Sequence, residues 1–360
     1  MRPCQVSERE KEHRLRHDLL SFLVCPRCQD PFTCEPDRAV GGDVIAGSLR
    51  CPRCSIAYPI RDGIPRIMPP SVSEEQERTA GAFGWEWRKF SRLHAVERYT
   101  EQFLDWIAPL TPDAVRGKIV LDGGCGMGRF PTVVQRLGAA QVVGVDISLA
   151  VEAARDNTRD LPNVHIVQSD IYNLPLRRDG AGQFDFIYSI GVLHHMPDPE
   201  AGFLALCSHL KPGAEISVWV YGYENNEWYV RVVNPIRLWF TSRIPHSMLH
   251  ALSFAVAVPL HLVIKALYLP AERVRGLGFL RTALPYKYLF WLSRFGFRHT
   301  HHVIFDQLVA PKAEYLKREA FAAWFRRAGL EDVRITARNE NSWRGYGRKP
   351  AMPAMDRRTP

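Results

Sequence analysis

Short apolar runs recur through the middle of the chain, and three of them lead into an acidic residue. The runs at 118–121, 141–145 and 164–169 are followed by Asp122, Asp146 and Asp170. Continuous apolar runs of this length are typical of parallel strands buried on both faces. The pattern continues with apolar runs at 184–190 and 215–220. It ends with a helix at 321–329 and strands at 331–338 and 343–349. The sequence predicts an α/β fold with a seven-stranded, mostly parallel sheet whose ligand site lies at the carboxyl ends of the strands.

A long insert separates the fifth strand from the closing helix. It covers residues 223–311, far more than a crossover needs, and is rich in Trp, Tyr, Phe, Leu and His. We expect a helical cap over the site. Within it the apolar stretch 248–269 is interrupted by Pro259 and Lys265 among others, which disfavours a membrane span. Burial in the cap, peripheral contact with a membrane and contact with a lipid-like substrate all stay open.

Composition adds little to this picture. Hydrophobic residues make up 46% of the chain, as in soluble globular proteins, and the formal net charge is +9. A positive charge favours acidic partners, but basic residues spread along the chain are also explained by a solvated surface. The first twenty residues hold no apolar core of signal-peptide length. We expect a cytoplasmic protein, with membrane association left open.

Two cysteine knuckles of near-identical sequence lie before the sheet. Cys25 and Cys28 form the first, and Cys51 and Cys54 form the second. The two-residue gap lets both thiolates of a knuckle bind one ion, and two knuckles complete a tetrahedral four-sulfur shell. This pattern predicts a structural zinc, since no open coordination position is implied; Cys34 has the wrong spacing to belong to a knuckle.

The segment around the knuckles also resembles a known family. "LLSFLVCPRC" and "LRCPRCSIAYPIRDGIPRIMP" are similar to the small zinc-ribbon family that includes the activator subunit of tRNA and protein methyltransferases. The resemblance implies an activator-like module acting in cis, as a chaperone, a dimer contact or a substrate guide; a purely structural role stays open.

The loop after the first predicted strand is rich in glycine. The loop contains Asp122, Gly123, Gly124, Gly126 and Gly128, and its glycines at 124, 126 and 128 let backbone approach a ligand at a helix N-terminus. A dinucleotide fingerprint needs a glycine where Arg129 stands, which disfavours nicotinamide cofactors. The loop resembles motif I of class I S-adenosylmethionine (SAM)-dependent methyltransferases, which have a Rossmann-like fold.

The methyltransferase resemblance extends along residues 115–222 and 305–349 and implies further site residues. Asp146, with Ile147 after it, corresponds to the carboxylate that holds the cofactor ribose, and Asp170 and Ile171 to the adenine contacts. Ser189 falls in the motif near the methyl donor. The cofactor implied is SAM.

Candidates for the chemistry itself are fewer. His194 and His195 follow the fourth strand, so one can serve as a base, although both can equally pack against the cofactor loop. Asp306 and Tyr315 lie in a stretch resembling the lid-return segment of methyltransferases from natural-product and cell-surface pathways, where they border the substrate. The histidines near 299–302 lack a clean ligand spacing for a metal.

These observations predict six regions and one main function. The regions are a polar arm (1–18), a zinc ribbon (19–69), a helical connector packed on the core (70–116), a SAM-binding domain (117–222 and 306–350), a helical cap (223–305) and a disordered tail (351–360). We expect methyl transfer to oxygen, nitrogen or carbon of a small or lipid-like metabolite. Two alternatives stay open. The first is a tRNA or protein methyltransferase guided by the ribbon, which is disfavoured because no base-binding tetrad follows the fourth strand. The second is a non-enzymatic SAM-binding assembly protein. The sequence makes nucleic acid an unfavoured partner and leaves the oligomeric state undetermined.

Overall fold

The computed structural model describes residues 15, 17–41, 43–91, 93, 96–178, 183–241, 244–282 and 286–351. Most of the predicted polar arm and of the tail, residues 1–14, 16 and 352–360, lies outside them. Within the described ranges, eleven strands form one sheet in the order β1-β2-β3-β4-β7-β6-β5-β8-β9-β11-β10. The strands are β1 (Thr33–Val40), β2 (Asp43–Arg50), β3 (Ala57–Arg61), β4 (Ile64–Ile67), β5 (Ile119–Gly123), β6 (Gln141–Asp146), β7 (Val164–Ser169), β8 (Phe184–Ile190), β9 (Leu210–Tyr221), β10 (Glu331–Arg338) and β11 (Ser342–Arg348).

The predicted α/β class is confirmed, and the sheet has eleven strands where seven were predicted. Strands β5 to β9 are parallel, and β11 pairs antiparallel with β9 and β10, which gives the seven strands expected. The four ribbon strands extend the same sheet because β4 pairs in parallel with β7, placing Arg66 opposite Gln168. Strand β9 begins at Leu210, five residues before the run predicted at 215–220.

The ribbon shares a hydrophobic core with the sheet. The ring of Phe22 stacks on Phe184 with centroids 6.1 Å apart, and the amide of Val24 donates to the Pro175 carbonyl at 2.9 Å. Buried residues of both regions form one continuous cluster. A ribbon too small for a core of its own is therefore stabilised by the larger domain.

Eleven helices flank the sheet in the described ranges. They are α1 (His17–Leu20), α2 (Glu74–Lys89), α3 (Val96–Ile107), α4 (Arg129–Arg136), α5 (Ala150–Thr158), α6 (Pro199–Cys207), α7 (Asn234–Thr241), α8 (His246–Val263), α9 (Tyr286–Ser293), α10 (Phe297–Val309) and α11 (Arg318–Arg327). Helix α2 begins with a capping box in which Ser73 and Gln76 exchange hydrogen bonds. Helix α4 starts directly after Gly128, which adopts φ 78°. A Cβ there would lie 2.9 Å from the backbone of Ala154, so glycine allows α4 and α5 to pack closely.

The insert is helical and lies against the connector. Helices α7 to α10 all belong to it, and the predicted boundary at 305/306 falls inside α10. Helix α8 packs on α10, where Ser253 Oγ lies 3.0 Å from His301 Nε2 and His261 Nδ1 lies 2.9 Å from Thr300 Oγ1. A π-helical turn, Ile264–Tyr268, continues α8.

Candidate functional site

A pocket of about 990 Å³ of empty volume, open to solvent, lies at the carboxyl ends of β5 to β8. Six of the residues predicted to bind the cofactor line it together: Gly124, Gly126, Asp146, Ile147, Asp170 and Ile171. Their strands are adjacent and parallel, so the ends of all of them meet at one edge of the sheet. The ends of three strands identified in the sequence thus predicted where this pocket lies.

Asp146 is held rigidly at the end of β6. Its Oδ2 accepts a hydrogen bond from the Gly126 amide at 2.9 Å, and its Oδ1 accepts from the amide and the hydroxyl of Ser148 at 2.9 and 2.7 Å. Burial raises the pKa of this carboxyl above its ordinary value, and the three donors oppose that rise. A carboxylate oxygen offers more than one acceptor site, so the group can still accept hydroxyl donors from a ligand sugar.

Asp170 lines the same pocket and follows β7, the strand next to β6. Its Oδ1 accepts from the Tyr172 amide at 3.0 Å, and its Oδ2 accepts from the Gln76 side chain at 3.1 Å. Ile171 lines the pocket beside it. An acceptor next to an aliphatic wall suits the amino group and the ring face of a purine.

Four predicted cofactor residues are absent from the pocket lining and lie around the base of the loop. The carboxylate of Asp122 is buried and accepts from the Tyr188 hydroxyl at 3.0 Å. The Ser189 hydroxyl donates to the Gly123 carbonyl at 2.7 Å, and a Cβ on Gly123 would lie 2.9 Å from Leu206. Together with Gly128, these residues shape the loop from outside the pocket.

Helix α2 of the connector forms a wall of the pocket that the sequence did not predict. Thr79, Ala80, Phe83 and Trp87 line the pocket beside Gln76. The density of aromatic residues at 83–90 is the one signal of this wall in the sequence, which otherwise predicts only that the connector packs on the core. Packing also occurs, since Trp85 lies 5.2 Å from Phe305 between ring centroids.

A second chamber adjoins the first and lies under the cap. Its empty volume is about 1400 Å³. Both cavities are lined by Trp87, Arg129, Ile190, Gly191, His195 and Asp306. Aromatic side chains dominate the rest of the chamber wall: Trp106, Trp219, Tyr221, Tyr229, Tyr288, Trp291 and Tyr315. The two cavities therefore meet at a junction that contains polar and ionisable groups.

Several buried polar atoms of chamber residues have no hydrogen-bond partner in the described part of the protein. They are the indole nitrogens of Trp106 and Trp219, Oε1 of Gln102, Nε2 of His299 and Nη2 of Arg338. Leaving such groups unpaired costs about 1–3 kcal/mol each. A ligand with oxygen-containing groups would pair the donors and remove that cost.

Asp306 is the acid at the junction. It is carried by α10, and burial raises the pKa of its carboxyl to about 7, a rise that the nearby Glu86 reinforces. Glu86 is itself fully buried on α2, with Oε1 2.9 Å from Nε2 of His302. The hydroxyl of Tyr221 lies 3.5 Å from Oδ2 of Asp306. A carboxyl that titrates near neutral pH beside a cofactor pocket is suited to accept a proton.

The two predicted catalytic histidines occupy different environments. His194 is fully buried, is not among the residues lining either cavity, and packs its ring 4.0 Å from that of Tyr221. His195 lines both cavities, and its Nδ1 donates to the Lys312 carbonyl at 2.5 Å. Burial lowers the pKa of His195 to about 4. At neutral pH His195 is uncharged and offers Nε2 as an acceptor, while His194 packs behind it. Tyr315 lines the chamber with its ring 5.4 Å from Tyr221.

The four predicted metal ligands are close together. The Sγ atoms of Cys25, Cys28, Cys51 and Cys54 all lie within 4.8 Å of one another, and those of Cys28 and Cys51 are 3.4 Å apart. Sulfurs about 2.3 Å from a tetrahedral zinc are separated by about 3.8 Å, so this donor set fits zinc. No second group of this kind, the histidines at 299–302 included, occurs among the residues described.

Two models of known protein families match parts of the chain. Residues 94–254 match the family model described as a methyltransferase domain. Residues 16–63 match that of a Trm112p-like protein. The first match begins in the connector and ends in α8, and the second covers the ribbon.

Two curated relatives and one solved structure show what the chain is similar to. The tRNA U34 carboxymethyltransferase of Shewanella sp. (strain ANA-3) is 30% identical over 47% of this chain and 57% of its own length. The ubiquinone biosynthesis O-methyltransferase of Albidiferax ferrireducens is 34% identical over 37% of this chain and 49% of its own length. The chain thus spans about half of each relative. A solved complex containing the Haloferax volcanii Trm112 methyltransferase activator aligns with a TM-score of 0.41 and 16% identity, covering 78% of this chain and 100% of that one.

Proposed function

We propose that this chain, in which a Trm112p-like ribbon is joined to a methyltransferase domain, is an enzyme that transfers a methyl group from SAM to a small or lipid-like metabolite. The observation that carries the proposal is the junction of the two cavities. One cavity is lined by the carboxylates and glycines of a nucleoside site, and the other is a chamber under the cap large enough for a substrate.

The residues of the first cavity fit SAM. Asp146 is placed to accept the ribose hydroxyls, Asp170 and Ile171 to bind the adenine, and the backbone at Gly124 and Gly126 to approach the amino-acid part. When bound, SAM supplies an electrophilic methyl group on a sulfonium. Helix α2 forms one wall of the same cavity, with Phe83 and Trp87 as its aromatic side chains.

The junction supplies the groups that act on the acceptor. Methyl transfer is an in-line displacement, so most of the rate can come from holding the acceptor atom in place. Asp306 removes the proton from a hydroxyl or ammonium acceptor that would otherwise be a poor nucleophile. His195, uncharged at neutral pH, accepts a hydrogen bond from the same acceptor. His194 packs behind them.

The chamber favours an acceptor that combines a ring or apolar body with oxygen groups. Its aromatic side chains provide flat apolar surface, and the unpartnered indole and guanidinium donors match carbonyl or hydroxyl oxygens. The similarity to a ubiquinone biosynthesis O-methyltransferase supports this class. A role in natural-product or cell-surface biosynthesis is consistent with it.

Methylation of tRNA is the second candidate. It is favoured by the similarity to a tRNA U34 carboxymethyltransferase, which covers more of the chain than the ubiquinone relative does. In this case the ribbon would guide the nucleic acid, and a single extruded nucleoside would occupy the chamber.

Tracing of a labelled methyl group separates the two candidates. The protein is incubated with methyl-labelled SAM and a cell extract, and the label is followed into small molecules, lipids and RNA. We expect label in the organic-soluble or small-molecule fraction. Label confined to RNA would replace the first candidate with the second, and absence of label together with absence of SAM binding would contradict both.

Asp146→Ala is expected to weaken SAM binding by at least about tenfold, because hydrogen bonds to a charged group contribute about 1.5–3 kcal/mol each. Isothermal titration calorimetry measures the affinity, and the thermal unfolding temperature of the ligand-free variant shows whether the loop survives. The control is Asp160→Ala, which removes an exposed acid from the same domain and should bind SAM normally. Equal affinity in both variants would refute the ribose assignment.

A further inference from the structure

The positive charge of the chain is concentrated in the cap. Residues 228–300 contain ten of the 47 Lys and Arg residues and one of the 38 acidic residues. The remainder contains 37 of each and is neutral, so this segment of the cap has a net charge equal to the +9 of the whole chain. This corrects the expectation from composition that basic residues are evenly spread. Six of the basic residues in this segment are exposed: Arg231, Arg273, Arg281, Lys287, Arg294 and Arg298.

The outward side of α8 and its continuation is apolar over its whole length. Its exposed residues, apart from Ser247, are alanines, Pro259 and the larger apolar residues Met248, Leu252, Phe254, Val256, Val258, Leu262, Val263, Leu267 and Leu269. The side chains of Met248 and Leu262 are more than 60% exposed. Trp228 and Trp239, earlier in the cap, are exposed to a similar degree. An apolar surface of this extent is unusual on a protein that meets only water.

The other side of α8 is fixed to the protein. Leu249, Ser253, Ala257 and Ile264 are buried at helical spacing. Ser253 and His261 make polar contacts with α10. Lys265 adds a further hydrogen bond, since its Nζ donates to the Ser293 carbonyl at 2.6 Å. By length and composition the helix His246–Tyr268 could cross a bilayer, but crossing would break these contacts. A helix that lies flat on the membrane surface preserves these contacts.

We propose that the exposed side of α8 docks on the surface of an anionic lipid bilayer, with the helix parallel to the membrane plane. The apolar side chains enter the boundary between headgroups and acyl chains, and the basic residues of the cap attract the anionic headgroups. Exposed tryptophans are the residues typical of this boundary.

The same surface is poorly suited to nucleic acid. Binding to RNA relies on basic and polar side chains that contact phosphates, and on aromatic rings interleaved with them. The exposed side of α8 offers Phe254 as its one aromatic ring and no charged, Asn or Gln side chain within the described helix. Positive charge together with an apolar surface favours the bilayer.

Flotation of the full-length protein with vesicles tests the proposal. One set of vesicles contains phosphatidylcholine alone, and the other contains about one third phosphatidylglycerol. We expect the protein to float with the anionic vesicles and to bind the neutral ones at least about tenfold more weakly. Protein that stays at the bottom of both gradients, or binds both vesicles equally, would overturn the proposal.

A matched pair of variants identifies the surface. Met248→Glu combined with Leu262→Glu adds two negative charges at exposed positions of α8, and should reduce binding to anionic vesicles by at least about tenfold because carboxylates must enter the apolar boundary. Arg116→Glu changes the net charge by the same amount at an exposed site of the connector, outside the cap, and should float like the unmodified protein. Unfolding temperature and SAM affinity should match in all three proteins, so that failure of membrane binding is distinguishable from failure of the proposed enzyme activity. Undiminished flotation of the double variant, or tight binding to tRNA without binding to vesicles, would refute the assignment.

Discussion

Asp306→Asn is expected to lower kcat by about 10²- to 10⁴-fold, the range over which a positioned base contributes, while SAM affinity changes little. The carboxyl has a pKa of about 7 because it is buried near Glu86. It is protonated and inactive as a base below that pH, and ionised above it. In the unmodified enzyme kcat should therefore rise with pH through about 7 and then level off. The asparagine variant should lack this rise.

Tyr221→Phe provides the matched control for that experiment. It removes a hydroxyl 3.5 Å from the carboxylate and leaves the base in place. We expect kcat to fall at most about fivefold, the value of one hydrogen bond, with the dependence on pH retained. If Asp306→Asn keeps the same rise with pH, the base lies elsewhere, and Nε2 of His195 becomes the group to test.

Cys51→Ser is expected to release the zinc and lower the free energy of unfolding by about 3 kcal/mol or more, since a structural zinc supplies much of the folding energy of a small module. Cys51 is fully buried and close to the other three thiols. The loss should extend to SAM binding, because Arg66 of β4 donates to Gln168 at 2.9 Å, and Gln168 donates to the carbonyl of Ile147 in the cofactor pocket. Metal analysis, thermal unfolding and calorimetry with SAM measure the three effects.

Cys34→Ser is the control for the ribbon. Cys34 lies in β1, outside the cluster of four, and its replacement should leave the zinc content and the unfolding temperature unchanged. A Cys51→Ser protein that retains full zinc and full stability would show that the cysteine cluster does not hold the metal.

The sheet could be predicted from the sequence because its strands carry local signals. Each parallel strand is a continuous apolar run, and the acid or glycine after it marks where the strand ends. The link between β4 and β7 has no such signal. It joins Arg66 to Gln168, residues far apart in the sequence, and is decided by the packing of the ribbon on the common core. The extra strands were therefore missed although the ribbon itself was recognised.

The site was predictable to a similar degree. Asp146 and Asp170 follow strands and could be identified directly from the sequence. Helix α2 lies outside the strand pattern, and its position over the pocket depends on tertiary contacts. Asp306 was placed near the substrate by resemblance. Its suitability as a base depends on burial and on the proximity of Glu86, which lies more than two hundred residues earlier. Such electrostatic effects between distant elements leave no pattern along the chain.

The pairing of β4 with β7 also has a consequence for the protein when metal is scarce. β7 contains Val164, Ile166 and Val167, residues with a high preference for extended structure. A strand of this kind at the border of a sheet presents unpaired amide and carbonyl groups that can template association with another chain. β4 occupies part of that border. Release of zinc would thus uncover a self-associating strand, and cells starved of zinc should contain this protein in insoluble assemblies.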